Sequence, residues 1–260
     1  MGLRRRVSSA PPRPVDAFPQ LVCAAGEYRH ARVDHAPETL RIQPSCLRGN
    51  AYASACVRLF YRAQTGRPLR VAWALEEIAV DYEPVALSAD ECRDEAHRQR
   101  HPLGRVPALE LDDGQVLFES TAIVLAIADL YPDTGLTGPL GSALRTQVYA
   151  WSIMAMTELE RTTLGAWSAT EHVEDEYRRR QLRAFARAAD AVGDQLADRP
   201  FLLGPALTAA DIVLGGVLAV SRFAGVLDAA PAHVVDYLDR LQARPAYARA
   251  LACTESLLAP

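Results

Sequence analysis

The chain has 260 residues, half of them apolar or aromatic and 23% charged, with a formal net charge of -4. It is long enough for one large core or two modest ones, since domains run to about 100–150 residues. The mild acidity gives no electrostatic reason to seek nucleic acid, and no apolar run approaches the roughly 18 residues of a membrane span.

Residues 1–56 hold no sustained period of 2 or 3.6 and are rich in Pro, Arg, Ser and Ala, which reads as a mostly unstructured extension. No apolar core follows the basic start as a secretory signal requires, and Arg6 stands where a myristoylation signal needs Ser or Thr. An Arg-rich transit peptide is one reading; the one preferred here is a natural start near Val57, where valine can hide a GTG start codon. From Val57 the pattern becomes regular. "VRLFYRA" predicts a strand, and after the turn at Thr65-Gly66 a helix begins with Pro68 in its first turn and Val71, Leu75 and Ile78 at helical spacing. "VDYEPVAL" predicts a second strand, and the polar "DECRDEAHRQR" an exposed helix or loop. "PALEL", the turn "DDGQ" and "VLF" predict a hairpin, because Asp113-Gly114 supplies the turn chemistry. "STAIVLAIADLYP" predicts a helix, so the order is β-α-β-α-β-β-α. A Pro/Gly linker spans 132–141, and everything beyond is helical in pattern, at about 143–165, 174–197, 208–225, 231–243 and 245–253. Thr208 to Asp211, "TAAD", is a capping signal, with Leu207 and Ile212 as its hydrophobic staple.

Five scattered cysteines, Cys23, Cys46, Cys56, Cys92 and Cys253, form no CxxC and have no close His or Cys at ligand spacing. A reduced, cytoplasmic setting follows, with neither a disulfide framework nor a metal site. The absence of lysine amid abundant arginine and alanine matches a GC-rich coding sequence and carries no functional meaning.

Two features of "HPLGRVPALELDDGQVLFES" ask for explanation: Val106-Pro107 spoils the start of a strand, and Glu119-Ser120 stands where an apolar helix begins. Together with "LFYRAQTGRPLRVAWALEE" and "FLLGPALTAADI", this stretch resembles the cytosolic glutathione S-transferases of bacterial type, over about Val57 to Ala252. The resemblance implies a fold of class α/β plus all-α: a thioredoxin-like N-terminal domain with a four-stranded mixed sheet at 57–135, then an all-helical C-terminal domain at 142–256. It also implies a cytoplasmic homodimer whose co-substrate is glutathione and whose second substrate is a small hydrophobic electrophile, with no metal, nucleic acid or membrane partner.

In that family the proline of the pair is cis, so Val106 and Pro107 would turn main-chain polar groups toward the cysteinyl unit of glutathione. Ser120 would hold the γ-glutamyl carboxylate at the helix start and Glu119 the ammonium. The plain alternative is an N-cap serine behind a solvated acid. Arg105 would face the glycyl carboxylate, or be merely an exposed arginine before a strand. His101 stands where the family often has asparagine and reads as a loop residue. The thiolate needs a donor, because a free thiol titrates near ~8.5. Aligning "PLRVAW" with the family's first helix gives Thr65 that catalytic position, with a turn residue as its alternative; Arg67 is a second source of charge and Tyr61 a lesser candidate. Tyr149, Trp151, Met154 and Glu158 stand at helical spacing as lining candidates, although such stripes are more often core. The same chemistry serves dehalogenases, ether-cleaving lyases and disulfide-exchanging enzymes, and a non-catalytic binding protein can keep the fold without turnover.

Overall fold

The structure is a computed structural model in which residues 57–168, 175–256 and 258 are described; the stretch 1–56, read above as an extension, lies outside them. Strand β1 (Val57–Tyr61) pairs in parallel with β2 (Tyr82–Ala86) and antiparallel with β3 (Ala108–Glu110). Strand β4 (Val116–Phe118) pairs antiparallel with β3, which gives a four-stranded mixed sheet of order β2-β1-β3-β4. The hairpin turn falls where Asp113-Gly114 put it, with Gly114 at φ 83°. Alternation along β1 sends Val57 and Leu59 into the main core, where helices α1 (Arg67–Glu77) and α3 (Ser120–Leu130) pack on each other. Pro68 sits in the first turn of α1, where its missing N–H leaves no bond unmade.

The polar stretch 90–100 departs from the exposed segment expected. It forms a 3₁₀ turn at Glu91–Arg93 and a one-turn helix, α2 (Glu95–Arg98), in which Cys92 and His97 are buried. The cause lies on the other face of β1: Phe60 points there and needs cover. The His97 ring, 6.4 Å away between centroids, and the Arg100 guanidinium, 4.2 Å above the Phe60 ring, supply it.

The helical half runs through α4 (Ala143–Met154), a π-helical stretch at Ala155–Glu160, α5 (Arg161–Ser168), α6 (Asp175–Leu196), α7 (Ala209–Phe223), α8 (Ala232–Gln242) and α9 (Pro245–Thr254). One helix was expected over 143–165; the wider π turn divides it, a feature often found at functional sites. Helix α7 is buried along nearly its whole length and packs against α1. Its Gly215 and Gly216 permit that approach: a Cβ on Gly215 would lie 3.0 Å from the Trp73 ring, and one on Gly216 would lie 2.4 Å from Cγ of Arg70.

Asp211 fixes the start of α7. Its carboxylate accepts from the amides of Leu202 at 2.8 Å and Thr208 at 2.7 Å, and from the hydroxyls of Thr208 and Tyr237, both at 2.7 Å. Burial and the Asp211 charge push the Tyr237 hydroxyl well above its ordinary range. Replacing Asp211 with alanine should lower the unfolding free energy by on the order of 3 kcal/mol, the sum of a lost cap and buried donors left unpaired. Chemical denaturation of Asp211→Ala against the parent measures this, and a midpoint unchanged from the parent would refute it.

Candidate functional site

The loop 101–107 is held from three sides. Gly104 lies at φ 59° with a would-be Cβ only 2.4 Å from the Cys92 carbonyl, so no other residue fits without displacement. The His97 Nε2 lies 2.8 Å from the Arg105 carbonyl. His101 is buried, and its Nδ1 accepts from the Leu103 amide at 3.2 Å, which leaves the ring proton on Nε2, facing the Glu119 carboxylate at 4.0 Å. What this frame presents is Val106. The Val106–Pro107 peptide bond is cis. Among the described residues, neither the amide nor the carbonyl of Val106 bonds another backbone group, and the ladder begins only at Ala108. Arg105 is exposed and makes no side-chain ion pair among the described residues.

Glu119 adopts φ 67° and ψ 110°, a region that costs a non-glycine residue of order 1–3 kcal/mol. It occupies the N-cap position itself, and Ser120 is the first helical residue rather than the N-cap the plain alternative supposed. The strained turn leaves the Glu119 carboxylate in solvent beside the first N–H groups of α3, which have no partner within the helix and carry its positive dipole end. Ser120 is only 2% exposed, and its Oγ accepts from Arg70 Nη1 at 3.5 Å, the long end of a hydrogen bond.

In the loop between β1 and α1, the Thr65 hydroxyl donates to the Arg62 carbonyl at 2.6 Å. The loop is tied to the chain's other end: the Gln64 amide donates to the Glu255 carbonyl at 3.1 Å, and the Ser256 hydroxyl to the Thr65 carbonyl at 3.2 Å. Leu258 and Val220 pack so closely on Gly66 that a Cβ there would lie 2.9 Å from Leu258 Cδ1. Tyr61 is buried in the strand with its hydroxyl 3.5 Å from Glu255; burial first, and then the Glu255 charge, push its pKa up.

Arg67 does not stand free. Its Nε donates to Glu160 Oε1 at 3.1 Å, and the same carboxylate accepts from Arg70 at 3.3 and 3.4 Å. Burial alone would push the Glu160 carboxyl up, but the Arg70 and Arg67 guanidinium groups outweigh it and hold the carboxyl below its ordinary value. Sequence reasoning found neither Glu160 nor Arg70 nor the tail residues Ser256 and Leu258. Of these only Arg70 left a trace, as a charge among the apolar positions of α1.

Exposed Trp167 on α5 meets Phe223 on α7 edge to face at 5.9 Å, three residues beyond the Val220 that touches Gly66. Of the lining candidates read from the sequence, Tyr149 donates its hydroxyl to Asp129 at 3.0 Å, and Trp151 and Met154 pack against the core. Among the described residues no three His, Cys, Asp or Glu side chains gather as a metal site, and no helix is long and apolar enough to cross a membrane.

Comparison with known proteins agrees on both halves. Residues 57–129 match the family model for the N-terminal domain of glutathione S-transferase and residues 175–252 the model for its C-terminal domain. A maleylacetoacetate isomerase of Pseudomonas aeruginosa is 30% identical over 200 residues, covering 74% of this chain and 92% of that protein. A glutathione transferase structure from Methylococcus capsulatus superposes with a TM-score of 0.67 at 31% identity, covering 76% of this chain and 98% of that one. A sphingomonad glutathione S-transferase in complex with glutathione gives 0.66 at 28% identity, with the same coverage.

Two outcomes follow from the loop geometry. Glu119→Gly relieves the positive φ that Glu119→Ala keeps, so it should be the more stable variant by about 1 kcal/mol in urea unfolding; the reverse order would show the turn to be unstrained. Burial, the leading effect, lowers the His101 pKa from its ordinary 6.5 against the opposing pull of Glu119. A lowered folded pKa means stability that is whole above pH 6.5 and falls as acidification carries the ring through its folded pKa. His101→Asn should therefore flatten the loss of Tm below pH 6.5 that the parent shows.

Proposed function

The chain belongs to the glutathione S-transferase family, and we propose on that premise that it transfers the thiolate of glutathione to a small hydrophobic electrophile by substitution or addition. The observation that carries the reading is the open main chain of Val106 beside the unpaired N–H groups at the start of α3. An extended peptide laid along Val106 exchanges N–H and C=O bonds with it like an added strand. Its γ-glutamyl carboxylate then meets the donors at Ser120, its ammonium the Glu119 carboxylate, and its glycyl carboxylate the exposed Arg105. That the sphingomonad relative is solved in complex with glutathione supports glutathione as the ligand.

Thr65 is the group that polarises the sulfur. A hydroxyl has one proton to give, so Thr65 must turn from the Arg62 carbonyl to the thiol as the tripeptide binds. Arg67, at the first position of α1, adds positive charge where the helix dipole is already positive. Each unit by which these depress the thiol pKa corresponds to about 1.4 kcal/mol of preference for the anion. Trp167 and Phe223 form the apolar wall the electrophile meets. The working unit is a cytoplasmic homodimer, to be checked by light scattering.

The likeness to a maleylacetoacetate isomerase over 92% of that protein favours a second reading. In it the thiolate adds to an activated cis double bond, the resulting single bond rotates, and the thiolate leaves with no net transfer.

Calorimetric titration with glutathione, followed by turnover of an aromatic halide and of a cis-unsaturated diketo acid, separates the outcomes. Conjugation with loss of halide supports the transferase, and cis-to-trans conversion without conjugate supports the isomerase. Glutathione uptake with no turnover of either marks a binding protein, and no uptake ends the reading altogether. Thr65→Ala should lower kcat/KM about a hundredfold, as loss of one donor to a developing anion does, while Thr65→Ser keeps most of it. Equal rates in the two variants remove Thr65 from the mechanism.

A further inference from the structure

We propose that Glu160 is a positioning residue of the glutathione site, acting through Arg70 on Ser120; the inference rests on the reading given under Proposed function. Arg70 is wholly buried, and its polar contacts come from two elements. Nη1 reaches Ser120 Oγ on α3 at 3.5 Å, Met156 Sδ in the π-helical stretch at 3.2 Å and Glu160 Oε2 at 3.4 Å, while Nη2 reaches Glu160 Oε1 at 3.3 Å. Its Nε is buried with no hydrogen-bond partner among the described residues. The guanidinium is therefore not placed by satisfying every donor; it is placed by the one carboxylate that faces it. Room for its stem exists because Gly216 has no side chain, a Cβ there falling 2.4 Å from Arg70 Cγ.

The consequence is directional. A guanidinium has donors and no acceptor, so Ser120 Oγ can only accept from Arg70. Its own proton is thereby left to point away from Arg70, available to a carboxylate arriving at the start of α3. The cluster also keeps one positive charge in excess, two guanidinium groups against one carboxylate. Glu160 thus never touches glutathione and still sets which way the serine hydroxyl faces.

The test uses the full chain and calorimetric titration with glutathione. Glu160→Gln should raise Kd about tenfold, the scale of a charge-assisted bond lost, with the KM for the electrophile unchanged within about twofold. With Ser120→Ala already in place, the same Glu160→Gln change should cost less than about threefold, because residues acting through one another are not additive. A purely structural role predicts full additivity, and that result overturns the proposal. Since a buried arginine left unpaired can prevent folding, the Arg70→Met, Glu160→Met double variant removes both charges and keeps the packing. It should fold, shown by a cooperative thermal transition, and still bind glutathione about tenfold more weakly. Parent-like affinity in that folded variant overturns the proposal alone, whereas a parent that takes up no glutathione overturns the reading it rests on as well.

Discussion

The carboxylate of Glu160, 3% exposed and shared by Arg67 and Arg70, is the buried charged contact through which the helical half meets the start of α1. It comes from the helical half and grips the first turn of α1, the helix that begins at the proposed thiol site. Removing one partner from a buried pair costs about 3–5 kcal/mol, yet replacing both with well-packed apolar residues is often neutral. Stability alone therefore gives no reason for charges at this place. What an apolar pair cannot supply is direction, and direction is what a serine hydroxyl and a loop carrying Thr65 need.

The same helix is closed in from its other sides by residues distant in sequence. Trp73 on α1 meets Tyr247 of α9 edge to face at 5.1 Å, and the Tyr247 hydroxyl donates to the Leu258 carbonyl at 3.0 Å. Leu258 in turn packs on Gly66 immediately before α1, and Gly215 of α7 leaves the space the Trp73 ring fills. The contacts run in a ring: α7 to α1, α1 to α9, α9 to the tail, and the tail back to the loop. The proposed catalytic loop is consequently framed by the last residues of the chain, although its own sequence announces only a turn.

Which parts could be read in advance follows from the range of the forces involved. Pro68, Asp113-Gly114, Val106-Pro107 and Thr208 with Asp211 act within a few residues, so their consequences are written in short stretches, and the strands and helices they delimit stand where expected. His97 was misjudged because its burial answers Phe60, 37 positions away, and not its polar neighbours. The π turn carries no glycine or proline to mark it. Glu160 reads as one more acid in "TELERT"; only the arrival of α1 makes it a buried counter-ion. Ser120 was assigned correctly to the helix start, but its contact with Arg70 arises from packing between α1 and α3 and has no local signature.

Net charge shows the same separation between chain and site. The whole chain is acidic, at -4, and composition alone suggests indifference to anions. Around the start of α1 and α3 the balance is reversed: the dipole ends of two helices, the excess positive charge of the Arg67–Arg70–Glu160 cluster and the free Arg105 all favour negative charge. Glu119 opposes them, and its strained backbone holds that carboxylate out in solvent, where a single ammonium can meet it. Glutathione carries two carboxylates, one ammonium and, when reactive, a thiolate. Under the proposed function, a site that favours negative charge but carries one exposed acid would select such a ligand by charge pattern as well as by the open main chain of Val106. A simple dicarboxylate would leave Glu119 facing a like charge, and a neutral peptide would leave the helix ends unanswered.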